Sequence, residues 1–180
     1  VRLTLLGRQG ARNVISGINA ELGWPGSNSP LTFSGAGDWR GAKVNLAATV
    51  AKPLMAAAGG NTEFAMRLDA EPVQFEFDGI ANLQNFFFTD GKLRFETPSM
   101  ERLLSWLGTE IVPGNSVGQM SMAARLTTKD DQLKFSDVLL EIEGNKASGV
   151  LDLSRAMEVP ALSGTLAFEE LDLASFMRAF

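Results

Sequence analysis

Three pairs of neighbouring carboxylates are the groups best placed, by type and spacing, to do chemistry: Glu76 with Asp78, Glu141 with Glu143, and Glu169 with Glu170. Two carboxylates held across a cleft, one with its proton affinity raised, are what glycoside cleavage needs. Strand alternation instead sets Glu76 and Asp78 side by side on one polar face, where solvated charge is the ordinary outcome. The same spacing would attract calcium, but no D-x-D-x-D loop accompanies it. The chain has no histidine, cysteine or tyrosine. That removes the usual proton carrier near neutral pH, every thiolate metal site and every disulfide. Gly35-Ala-Gly37 follows a strand but lacks the third glycine and the helix of a dinucleotide fingerprint. No catalytic residue, metal ligand or cofactor is assigned, and the chain is expected not to be an enzyme.

Composition narrows the class further. The 180 residues suit one module, and a hydrophobic fraction of 45% is too high for disorder. Lys and Arg number 16 against 21 Asp and Glu, a formal charge of -5 without a basic block. Such a chain offers a nucleic-acid backbone little to hold, so no nucleic-acid partner is expected. Apolar runs such as Leu46 to Ala51 are too short for a membrane-spanning helix. The sequence begins at Val1 already in strand-like residues, as a fragment of a larger protein would.

The elements that position these groups read mainly as strands. Val44, Leu46, Ala48 and Val50 alternate with polar or small residues, as do Phe64, Met66, Leu68 and Ala70. Val73, Phe75 and Phe77 continue the pattern after a corner at Glu71-Pro72, where proline lacks a ladder donor. Met120, Met122, Ala124 and Leu126 precede a polar turn over Thr128 to Asp131. The return strand changes parity between Phe135 and Val138, which predicts a bulge near Ser136-Asp137. One long strand is predicted from about Asn85 to Glu96, running through Asp90-Gly91, with its preceding turn at Asp78-Gly79 to Asn82. Ser99 to Leu107 has an N-cap and helical spacing, as does Asp172 to Phe180; Pro53 to Ala58 is a weaker third candidate.

Two of these helices close an internal repeat. Gly91-Lys-Leu-Arg-Phe-Glu96 is matched by Gly164-Thr-Leu-Ala-Phe-Glu169, and the correspondence runs on into Ser99 to Leu107 and Asp172 to Phe180. A glycine, an alternating strand and a capped amphipathic helix make one unit used twice. A parent protein built this way extends by adding units, so neighbouring β repeats are expected partners.

Phe77-Asp-Gly79, Gly91-Lys-Leu-Arg-Phe and Pro98-Ser-Met-Glu-Arg-Leu-Leu-Ser-Trp-Leu-Gly108 together resemble the AsmA family. So does the later series Val138-Leu-Leu-Glu-Ile-Glu-Gly144, Gly149-Val-Leu-Asp-Leu153, Pro160 to Phe168 and Leu171-Asp-Leu173. The order and spacing carry the likeness, over about residues 60 to 176, while the first 55 residues are merely compatible. The resemblance implies a non-catalytic module of a bacterial envelope, periplasmic and anchored in the inner membrane by a segment outside this piece. It further implies a part in outer-membrane assembly or lipid homeostasis, with phospholipid or another envelope lipid as partner.

The expected fold is therefore a single mainly β module over 1–180. It is a curved or half-open antiparallel sheet of β-groove type, with two short amphipathic helices. A lipid groove needs an apolar sheet face, and Val73, Phe75, Phe77, Phe87, Leu93 and Phe95 are the candidates for it. The plainer reading is that they form the core beneath the helices. The alternative function is a structural or protein-interaction module of the envelope that never binds lipid.

Overall fold

Alternation of apolar and polar residues does build strands along nearly the whole chain. The computed structural model describes residues 3–6, 12–82, 87–109, 118–129, 132–154 and 161–169. The first strands are β1 (Leu3–Leu6), β2 (Arg12–Gly23), β3 (Leu31–Trp39) and β4 (Ala42–Val50). A short helix α1 (Pro53–Ala57) leads to β5 (Asn61–Ala70), β6 (Val73–Asn82) and β7 (Phe87–Thr97). Helix α2 (Met100–Leu107) then precedes β8 (Met120–Lys129), β9 (Gln132–Ile142), β10 (Asn145–Ser154) and β11 (Ala161–Phe168). All eleven strands form one antiparallel sheet whose spatial order is the chain order. Among the described residues β1 and β11 are its edges and do not pair with each other, so the sheet is open.

Tight turns make this meander. Trp39 pairs with Ala42 across Arg40-Gly41, whose φ values of 49° and 82° are those of a two-residue hairpin matched to strand twist. Glu143-Gly144 repeats that geometry between β9 and β10, with φ of 51° and 79°. The predicted bulge is present: Asp137 has φ of 51°, and the register of β9 shifts against both β8 and β10 at that level.

One local expectation fails. Asp78-Gly79 to Asn82 is not a turn, because β6 continues to Asn82 and pairs with β5 and β7 throughout. Gly79 lies opposite Gly91, and a Cβ on Gly79 would collide with the Asp90 carbonyl. The glycine serves close approach of two strands, a use that sequence cannot tell from a turn. β7 runs unbroken through Asp90-Gly91, as the long-strand reading requires.

Both helices of the described residues pack at opposite ends of the strands. Ser99 Oγ accepts from the Arg102 amide at 3.3 Å, and Gly108 closes α2 with φ of 74°. Thr97, 2% exposed, donates from Oγ1 to the Pro72 carbonyl at 2.8 Å and so ties the start of α2 to the β5–β6 turn. Leu103 is then buried against Ala70 and Val73, with Val44, Leu68, Phe95, Met100 and Trp106 around it. At the other end, Asn82 Nδ2 donates to Gly59 O at 2.8 Å, and Thr62 Oγ1 accepts from Lys52 N at 2.9 Å, fixing α1. A second buried cluster joins Ala124, Val138, Leu140 and Ala147 on β8 to β10. Asp172 to Phe180 lies outside the described residues, and with it the helical half of the second repeat.

Candidate functional site

Because the strands alternate and pair antiparallel, with bulges that interrupt only short stretches of register, apolar residues line up in rows that cross the sheet. One row runs Leu46, Leu68, Phe75, Phe95, Met122, Leu140, Ala147 and Phe168, each opposite the next. A second runs Phe33, Ala48, Met66, Phe77, Leu93 and Ala124. Together they make one apolar face continuous from β3 to β11.

Of the candidate groove residues, Val73, Phe75, Phe77, Leu93 and Phe95 fall on this face, in two different situations. Phe75 is opposite Phe95 and Phe77 opposite Leu93, with Val73 on the same side of β6. Val73 and Phe95 pack beneath α2, which is the plain-core use of these positions. Phe77 is 2% exposed, and its ring lies 6.3 Å from that of Phe64. Phe75 and Leu93 are half-buried. Phe87 stands past a register shift in β7: it is opposite Asn82, while Phe88 is opposite Ala81. Sequence parity, which assumes an unbroken ladder, had set Phe87 in the same series as Phe95.

The opposite face carries the charge and is hollow. A depression of about 950 Å³ crosses the strands there, reaching Glu21 of β2 at one end and Asp137 of β9 at the other. It is lined by two cross-strand rows, Arg67–Glu76–Arg94 and Asp78–Lys92–Arg125, by Ala47, Ala65 and Ala123, and by the row between them that runs from Phe33 through Met66 and Phe77 to Ala124. Arg67 pairs with Glu76 at 2.9 Å and Arg125 with Asp90 at 2.9 Å. Glu76 therefore sits in an ion pair on a solvated face and Asp78 beside it in the open. Glu141 and Glu143 are exposed, as is Glu169, and Glu170 lies outside the described residues. Among the described residues, no three acidic side chains converge as a metal site would require.

One feature that sequence reasoning passed over is how α2 is held over the apolar face. Trp106 donates from Nε1 to the Trp39 carbonyl at 3.0 Å, and the two indoles meet edge to face with centroids 4.4 Å apart. Arg40, at the tip of the β3–β4 hairpin, lies 5.1 Å from the centre of the Trp39 ring and donates to the Trp106 carbonyl at 2.7 Å. The signal was the Trp39-Arg40-Gly41 turn, but its partner is 66 residues away in sequence. Comparison with family models, with curated proteins and with solved structures finds no match to this chain.

Proposed function

We propose that this chain is a non-catalytic, AsmA-like module of a bacterial envelope, periplasmic in its parent protein, whose apolar sheet face shields the acyl chains of envelope lipid. The observation that carries this reading is the continuous apolar face of an open, single-layer sheet. Rows of Leu, Phe, Met and Ala offer an acyl chain a wall without specific contacts. At about 25 cal/mol per Å² of apolar area removed from water, one tail gains several kcal/mol from such a wall. Head groups and their charge stay in solvent, which explains why no sharp residue motif is needed. α2 covers the end of the face at Val73 and Phe95, so the stretch bearing Leu46, Met66 and Phe75 is the part left for lipid.

The test follows from strand parity. A photo-crosslinking side chain at position 66 should capture phospholipid acyl chains in bacterial cells, and the same probe at Arg67 should not, because one residue of shift reverses the face. Equal capture at both positions, or none at either with the protein folded, would favour a purely structural envelope module.

A further inference from the structure

The charges of the polar face are not paired off evenly. Glu76 stands opposite Arg67 on β5 and opposite Arg94 on β7, and it bonds to Arg67 at 2.9 Å. Arg94 is left without an ion pair or side-chain hydrogen bond among the described residues. Lys92 stands opposite Asp78 and makes none either. Across the other ladder Lys92 faces Arg125 directly. Like charges opposite each other on neighbouring strands are destabilising. A chain with a formal charge of -5 nevertheless gathers three cations here on two adjacent strands.

Lys92, Arg94, Ala123 and Arg125 are the four corners of one cross-strand cell in the lining of the hollow. Opposite side chains in such a cell start about 5 Å apart, those two along a strand about 7 Å, and diagonal ones about 7 to 8 Å. Three corners are cationic and the fourth is a methyl group, which leaves a gap opposite Arg94. Arg125 is steadied by Asp90, whose oxygens take Nη2 alone, at 2.9 and 3.0 Å. The other donors of that guanidinium are unspent. Glu76 and Asp78 are on β6, the side of β7 away from Ala123. Asp137, in the β9 bulge, lines the hollow beyond Arg125, whereas Ala123 has the uncharged Leu139 opposite it.

We propose that this cell binds a phosphate group, seated over Ala123 and held by Lys92, Arg94 and Arg125. Three cations suit the double charge of a phosphate monoester better than the single charge of a carboxylate, and guanidinium forks match phosphate oxygens. The bound anion relieves the repulsion between Lys92 and Arg125. A soluble phosphate ester and the head group of an anionic lipid both present this chemistry. The inference concerns the polar face and does not depend on whether the apolar face shields acyl chains.

Glycerol 3-phosphate is the soluble probe, titrated into the intact chain at low salt and followed by amide chemical shifts. Saturable binding below about 10 mM is expected, and Arg94→Gln and Lys92→Gln should each weaken it at least about fivefold. Both side chains are exposed, so neither change should disturb the fold, which circular dichroism checks. Arg102→Gln, which removes an exposed cation from α2, should alter binding less than about twofold. Ala123→Glu should abolish it by filling the gap and pairing with Arg94. A second arm uses phosphatidylcholine vesicles with and without phosphatidic acid. Capture by the phosphatidic acid vesicles that Arg94→Gln abolishes assigns the site to lipid head groups; binding of glycerol 3-phosphate alone assigns it to a soluble ester, and either upholds the site. No binding of glycerol 3-phosphate up to about 10 mM overturns the proposal. So does equal weakening by Arg94→Gln and Arg102→Gln, or an Ala123→Glu variant that binds as the parent does.

Discussion

The strands β4 to β7 and β8 to β11 make two four-strand units that share a register and fill it differently. Leu46, Leu68, Phe75 and Phe95 in one answer Met122, Leu140, Ala147 and Phe168 in the other. In the first, large rings lie on β6: Phe75 and Phe77 stand where the second unit has Ala147 and Gly149. In the second, bulk moves one row along β10, and Leu151 stands where the first unit has Gly79. Each arrangement leans on the glycine that opens the motif strand. A Cβ on Gly91 would lie 2.6 Å from the Phe77 ring, and a Cβ on Gly164 would lie 2.8 Å from a Leu151 methyl. The ladder geometry is held by main-chain pairing and by that one small residue, while the volume needed to cover the face can come from either neighbouring row. Among the described residues only the first unit carries helices, and there Leu103 of α2 is buried against Ala70 and Val73.

The contrast can be broken most strongly at the buried centres. Phe77→Ala should cost about 3 to 5 kcal/mol, and Val138→Ala, which removes less from an equally buried position, about 2 kcal/mol. Urea unfolding of the two variants decides the order, and equal losses would show that the second unit relies on its core as heavily as the first. A smaller effect is expected at the paired glycines. Gly91→Ala should destabilise by about 1 to 3 kcal/mol, since its Cβ meets both the Phe77 ring and the Asp78 carbonyl. Gly164→Ala should cost at least as much, because its Cβ would meet the Val150 carbonyl as well as a Leu151 methyl; thermal melts of both would sharpen or dissolve the equivalence. The smallest effect belongs to the polar face. Glu76→Gln should change stability by under about 0.5 kcal/mol, because its pair with Arg67 is 41% and 62% exposed.

Much of the architecture was legible from residue order because a strand reports its face every second residue. The β4 to β9 strands, the Ser136-Asp137 bulge, the capped helix from Ser99 and the corner at Glu71-Pro72 all rest on local signals. Gly79 misled for the same reason: glycine marks a turn or a close strand approach equally, and only Gly91 on the neighbouring strand decides which. The pairing of Phe87 with Asn82 was not legible, because a register shift between Ile80 and Ala81 is a property of two strands together.

For the candidate site, alternation alone determined that one face is apolar and the other charged, since parity is local and period two. Three things were settled only by the assembled sheet. The apolar rows run unbroken across the strands, because turn lengths and bulges far apart in sequence add to no net slip. The hollow runs along the charged rows, which takes residues of β2 to β9 together and not any one strand. Val73 and Phe95 lie under a helix that Arg40 and Trp39 hold from across the sheet. Contacts of that kind join residues more than sixty apart, and nothing in the spacing of either partner announces the other.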